Sequence, residues 1–204
     1  VYKRQVMNSV PATGVISTDH PNFIGTTGRL GTKSGFEAIQ NADLILFLAS
    51  EYPFANFWPQ DTKMIQVNNN PYDIGKRIDV DYAVIADAKS YLQAMIDSGE
   101  SRPKDAWLEA NQENKKNWDT WLDQLADDDS DGLNAESVTK KIAEIAGPND
   151  TYAVDTGNVS EWGVRGLPMN KNQRFAISGL FATMGFGLPG GLAGALSVPD
   201  AQAV

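Results

Sequence analysis

The chain has 204 residues, 42% of them hydrophobic and 21% charged, with a formal net charge of −9 and no cysteine. That is ample for one large or two small domains of ordinary globular composition. The acidic balance argues against nucleic acid or an anionic membrane as partner, and the lack of cysteine excludes disulfides, thiolate catalysis and Cys-based metal sites.

No apolar run approaches membrane-spanning length, and the opening VYKRQVMNS lacks the apolar core of a secretory signal, so a cytoplasmic location is expected. The chain opens on Val1 instead of methionine, and residues 201–204 read as the start of a strand. Both ends therefore read as cut, and the chain as a fragment.

Residues 6–10 predict a short strand running into a turn at 11–14 (PATG), and residues 17–27 read as a polar loop. The loop continues through Gly25, Thr26, Thr27, Gly28, Arg29, Leu30 and Gly31. Its hydroxyls, glycines and single arginine suit hydrogen bonds to a diphosphate or another polar ligand, with Arg29 as the anion's partner. A plain solvated loop accounts for the same composition. A short helix over 35–41 leads into the apolar run 42–49, of strand length and expected to be buried on both faces as in a parallel sheet. Residues 63–67 and 82–86 predict two more strands, ending at Asn68-Asn69-Asn70 and at Asp87, and a helix follows over 88–96. In open parallel sheets ligands bind outside the carboxyl ends of the strands, so the loops after Ala49, Val67 and Ala86 should line one crevice.

Residues 98–103 (SGESRP) form a linker-like break that divides the chain into domains over 1–101 and 102–204. From Pro103 a long helix is expected, with Trp107, Leu108, Asn111, Trp118, Leu122 and Leu125 on one face packing against a neighbouring domain. The acidic run 127–132 (DDDSDG) fits the first half of a calcium loop. It has Val138 where a bidentate glutamate belongs and Asn134 where an apolar residue belongs, and reads as a solvated linker. Asn134 caps a helix over 135–146 whose buried face should be Val138, Ile142 and Ile145. Strands are predicted over 152–155 and 174–177, with a short helix starting near 161, which makes the second half another α/β unit. The loops 156–158 and 180–187 should converge at its crevice. His20, the only histidine, reads as a loop residue, with no second group to support a zinc site or a catalytic triad.

The second half is organised around residues 178–194 (SGLFATMGFGLPGGLAG), with glycines at 185, 187, 190, 191 and 194. A glycine loop entering a helix admits either an anionic ligand or a closely packed neighbouring backbone. Residues 185–190 match G-x-G-x-x-G literally. The dinucleotide fingerprint also needs a strand directly before it and an acidic residue beyond it, and Pro189 stands in the helix's first turn.

These segments resemble a known family. Leu180-Phe-Ala-Thr-Met-Gly185 with residues 187–191, and Asp155-Thr-Gly-Asn158, are similar to the thiamine diphosphate (ThDP) domain of the pyruvate oxidase and acetolactate synthase superfamily. Tyr52-Pro-Phe-Ala55, Asn70-Pro71 with Gly75-Lys-Arg77, and Ala86-Asp-Ala88 resemble its middle, flavin-binding domain, and the combination looks most like the bacterial pyruvate oxidases. The fold implied is two parallel-sheet α/β domains, a partial FAD domain followed by a truncated ThDP domain. The activity implied is oxidative decarboxylation of pyruvate with phosphate and oxygen, giving acetyl phosphate, carbon dioxide and hydrogen peroxide, with ThDP, Mg2+ and FAD as cofactors. A homo-oligomer, a tetramer by the resemblance, is implied as well.

By the same resemblance Arg29 lies between flavin and substrate. Gly25, Thr26 and Thr27, Ser50 with Glu51, Tyr52, Pro53 and Phe54, Asn68 with Asn69 and Asn70, and Asp87 with Ala88 match flavin-contacting loops. Ala182 and Met184, flanking Thr183, would meet the aminopyrimidine, with the Met184 side chain propping the bent cofactor, while Thr156, Gly157 and Asn158 would lie along substrate and diphosphate. The chain departs from the family pattern at 68–70, where acidic residues are usual, and at Thr156, where valine is common. It holds neither the metal-binding Gly-Asp-Gly segment nor the pyrimidine-binding domain, and is expected to be inactive alone. The rival readings are acetolactate synthase, a nicotinamide oxidoreductase built on 185–190, and a calcium-responsive module around 127–132.

Overall fold

The computed structural model describes residues 5–51, 55–59, 61–99 and 105–204. The architecture is mixed α/β with parallel strands, as expected. Strands β1 (Val6–Ser9) and β2 (Phe23–Thr27) form one parallel pair, followed by helix α1 (Lys33–Gln40). Strands β3 (Leu44–Leu48), β4 (Lys63–Asn68) and β5 (Tyr82–Ile85) form a second parallel sheet in that order, followed by α2 (Ala88–Asp97). Two helices, α3 (Ala106–Ala126) and α4 (Ala135–Ile145), lead into the second half: β6 (Thr151–Val154), α5 (Asn158–Gly166), β7 (Arg174–Ile177) and α6 (Gly187–Ser197). The β6–β7 pair is parallel, and Ala203 bridges to Thr151 in the same sense.

Four expectations are corrected. The polar loop over 17–27 ends in strand β2, whose five residues are all buried. Its hydroxyls are satisfied inside the protein: Thr26 Oγ1 donates to Asn8 Oδ1 on β1 at 3.1 Å, and Ser34 Oγ donates to the Ile24 carbonyl at 2.7 Å. Strand β3 is not buried on both faces. It pairs with β4 alone among the described residues, and Leu44 is half exposed while Ile45 is buried. On α4 the buried position is Thr139, whereas Val138 and Ile145 are exposed. The helix turns this face inward because Gly166 comes close: a Cβ there would stand 2.8 Å from Thr139 Cγ2. Helix α5 starts at Asn158, three residues before the expected start.

One core cluster, Ile39, Ile45, Trp58 and Met64, holds α1 against β3 and β4; a second, Tyr152, Val154, Leu167 and Met169, underlies the β6–β7 pair. The halves are tied together by Thr18, whose amide donates to the Met169 carbonyl at 2.8 Å while its hydroxyl accepts from the Met169 amide at 3.0 Å. Helix α3 buries Leu108 and Asn111, and Gln112 Nε2 reaches the Pro21 carbonyl at 2.7 Å. Trp118 and Leu122 line a cavity of about 450 Å³ between this helix, β2, α4 and α5, so the tryptophan face does look toward the other half. The expected helix start at Pro103 lies outside the described residues; Asp105 caps α3 by accepting from the Leu108 amide. In the acidic loop Asp127 pairs with Lys140 at 2.9 Å, and His20 sits in a loop, its Nδ1 accepting from the Asn22 amide. Among the described residues no helix is long and apolar enough to cross a membrane.

Candidate functional site

In the second half two loops meet at one carboxylate. Asp155 follows β6, and its Oδ1 accepts three backbone N–H groups: Thr156 at 2.6 Å, Gly185 at 2.8 Å and Phe186 at 3.2 Å. The Thr156 amide above all holds this carboxyl below the usual carboxylate range; burial opposes it, and the amides of 185–187 add smaller lowering effects. Asp155 therefore clamps the 156–158 loop to the start of α6, and the expected convergence is present. Gly157 caps α5 with φ 137° and ψ −161°, a region open essentially to glycine alone, and no side chain caps this helix. A Cβ on Gly157 would meet nothing within 4 Å. An uncapped helix start with open space beside it fits an anionic group such as a diphosphate.

The 178–186 segment presents the other wall. Thr183 is tied back to Ser178, its amide donating to Ser178 Oγ at 3.1 Å. Ala182 takes a left-handed φ of 49°, which turns the backbone sharply just before Met184. Met184 is 82% exposed, beside equally exposed Leu180 and Phe181. It is not a core residue of this chain. Helix α6 then packs closely on β6, where a Cβ at Gly194 would come within 2.8 Å of Thr151 Cγ2. Strand β7 ends at Ile177, ten residues before α6 begins at Gly187, so G-x-G-x-x-G at 185–190 lacks the strand that a dinucleotide fingerprint requires.

In the first half the strand-end loops gather at one edge, because β3, β4 and β5 are parallel neighbours. Gln66, 3% exposed, organises them: its Nε2 donates to the Ser50 carbonyl at 3.2 Å and the Asp73 carbonyl at 3.1 Å, and its Oε1 accepts from the Gly75 amide. Glu51 holds Lys76 at 3.0 Å, and that hydrogen bond, with a second from Asp73, raises the lysine's pKa. Several expected ligand contacts are engaged in structure. Asn68 ends β4 and accepts from the Asn70 amide; Asn70 caps the turn at Tyr72. Asp87, next to Ala88 at the start of α2, accepts from the Ser90 amide, which lowers its pKa. Asn69 is exposed, and a Cβ at Gly75 would meet nothing within 4 Å, so open surface remains there. Gly25 and Thr26 are enclosed: a Cβ at Gly25 would run into Thr32 Oγ1. Thr27 ends β2 and is buried, and Arg29 stands exposed on the turn beyond it. Tyr52, Pro53 and Phe54 lie outside the described residues.

Residues 2–95 match the sequence model of the thiamine pyrophosphate enzyme central domain, and residues 155–204 match that of the C-terminal TPP-binding domain. The pyruvate oxidase of Lactiplantibacillus plantarum is 34% identical over 203 residues, covering 98% of this chain and 34% of that protein. The chain belongs to the thiamine pyrophosphate enzymes. YdaP of Bacillus subtilis is 33% identical over 98% of this chain and 35% of its own length, and the acetolactate synthase of Mycobacterium leprae is 26% identical over 97% and 33%. The chain thus spans about a third of the length of these curated relatives. The Asp155 clamp and the open start of α5 lie in the segment that matches the TPP-binding domain.

Two residues of the site were given no role in the sequence, although Asp155 opens the Asp155-Thr-Gly-Asn158 segment that carries the resemblance. Gln66 carries a signal, as a polar residue set among the apolar Met64, Ile65 and Val67. Asp155 carries a weaker one, an acid closing an apolar strand just before a glycine turn.

Proposed function

We propose that the protein containing this chain is a pyruvate oxidase-type enzyme that uses ThDP, Mg2+ and FAD. It would convert pyruvate, phosphate and oxygen to acetyl phosphate, carbon dioxide and hydrogen peroxide. The observation that carries the ThDP site is the clamp: one carboxylate draws the 156–158 and 185–186 loops together and leaves the uncapped start of α5 open beside Gly157. When bound, ThDP supplies a nucleophilic carbon for the 2-oxo group and FAD an electron acceptor. The chain's own work is placement. Gly157 and the first amides of α5 receive the diphosphate, and the 182–184 backbone meets the aminopyrimidine. The exposed Met184 side chain supplies a prop beneath it. The strand-end edge at Asn69 and Gly75 offers the nucleotide half of FAD its place, with Arg29 between flavin and substrate as the anion partner.

We put the domain boundary at 101/102; that the two family matches end at residue 95 and begin at residue 155 supports a division between them. A cytoplasmic homo-oligomer, a tetramer, completes the proposal; the exposed apolar set Leu180, Phe181, Leu188, Leu192 and Leu196 supports burial of this face in an assembly. The higher identity to a pyruvate oxidase than to the acetolactate synthase supports the oxidase, and the latter is the second reading. Anaerobic addition of pyruvate to the intact protein loaded with ThDP, Mg2+ and FAD should bleach the flavin's visible absorption. A flavin that stays oxidised while pyruvate is consumed would favour the synthase.

A further inference from the structure

Helix α5 touches both candidate sites. Its first residue, Asn158, belongs to the ThDP loop. At its other end the Nε–H of Arg165 donates to the Gly31 carbonyl at 3.0 Å. Gly31 closes a tight turn: its amide donates to the Gly28 carbonyl at 2.8 Å, and Arg29 sits on the loop so formed. The close packing of Gly31 on the Thr26 and Gly28 carbonyls leaves this turn no room for a side chain. Arg165 is itself steadied from within the helix, Nη1 lying 3.2 Å from Glu161 Oε2, with its side chain 29% exposed.

The helix is also set rigidly in the second half. A Cβ at Gly163 would stand 3.0 Å from Val154 Cγ2 on β6, and one at Gly166 would stand 2.8 Å from Thr139 Cγ2 on α4. Both faces of the helix therefore pack closely on their neighbours. From Asn158 to Arg165 the helical rise is about 10 Å, so the diphosphate loop and the Arg29 turn are held at a separation set by less than three turns of one helix.

We propose that α5 is a strut and Arg165 a positioning residue that fixes the Arg29 turn relative to the ThDP loop. Arg165 touches neither cofactor nor substrate in this role; it acts through Gly31. The functional half of the inference rests on the placement of Arg29 beside the substrate, while the mechanical half stands on the contacts alone.

The test uses the intact protein and two variants. Arg165→Met keeps the length of the side chain and removes every donor; Arg165→Lys keeps the charge facing Glu161 and lacks the Nε–H. Losing a charge-assisted hydrogen bond should raise amide hydrogen exchange at Leu30, Gly31 and Thr32 about tenfold or more in both variants, measured without cofactors, and leave the β6 amides unchanged. In single-turnover reduction of the flavin by pyruvate, Arg165→Met should lower the rate about tenfold with ThDP affinity unchanged. In an Arg29→Ala background it should add almost nothing, because both changes disable the same group. Unchanged exchange at 30–32 overturns the strut. So does a rate loss that simply multiplies with that of Arg29→Ala. If the wild-type flavin is not reduced by pyruvate, the oxidase reading has failed, and the exchange result still decides the strut.

Discussion

Replacing Gly157 by alanine separates backbone strain from packing at the proposed diphosphate loop. The residue sits at φ 137° and ψ −161°, where any side chain costs on the order of 1–3 kcal/mol. The added methyl meets no atom within 4 Å, so no clash contributes. Because nothing packs on the residue, the free loop can relieve the strain by rotating its peptide, and thermal stability should barely change. ThDP binding must then restore the original geometry, and the cost appears as affinity: at about 1.4 kcal/mol per tenfold, dissociation should become roughly 5- to 150-fold easier. Titration of the intact apo-protein with ThDP at saturating Mg2+, followed by tryptophan fluorescence with Trp162 in α5 as the nearby reporter, measures this directly. Wild-type affinity together with wild-type stability would refute the loop's role, because the strain must appear in one or the other.

Met184→Ala should cut ThDP-dependent turnover and ThDP affinity with FAD content and melting temperature unchanged, and Met184→Leu should keep much of the activity; a large fall in melting temperature would place the residue in packing instead. Gln66→Leu removes the three hydrogen bonds that Gln66 makes to the first-half loops and should destabilise the protein by roughly 1–3 kcal/mol or more, read by denaturant unfolding, with FAD lost in parallel. The carboxyl of Asp155 is held low in the folded state, so its clamp is fully present above the ordinary carboxylate pKa and is lost as pH falls through the depressed value. Exchange protection at the Gly185 and Phe186 amides should therefore survive acidification past the ordinary carboxylate range and collapse below it, and Asp155→Asn should abolish that step. Protection that fades at the ordinary value would show that the clamp is not made.

The strands made mostly of apolar residues were legible from sequence: residues 63–67 and 174–177 were located to within a residue. Strand β2 was not, because FIGTT holds only two apolar residues. Thr26 is buried with Asn8 of β1 as its side-chain partner, a contact that no local window contains. The face of α4 was misread for a related reason. Apolar periodicity favoured Val138 and Ile145, whereas a close approach by Gly166 from another helix makes Thr139 the inner position. The crevice of the second half was legible in outline as two glycine-bearing strand ends. What joins them, the side chain of Asp155 reaching thirty residues along the chain to the 185–186 amides, is a tertiary contact that spacing cannot reveal. Side chains expected at a ligand in the first half, those of Asn68, Asn70 and Asp87, turn out to serve as turn and helix caps, the commonest use of such residues at strand and helix ends.

The most direct measurement is product analysis on the intact protein loaded with ThDP, Mg2+ and FAD and given pyruvate, phosphate and oxygen. Acetyl phosphate and hydrogen peroxide in equal amounts, both dependent on ThDP, are the expected result. Acetolactate formed without peroxide, or no consumption of pyruvate by protein with ThDP demonstrably bound, would contradict the assignment.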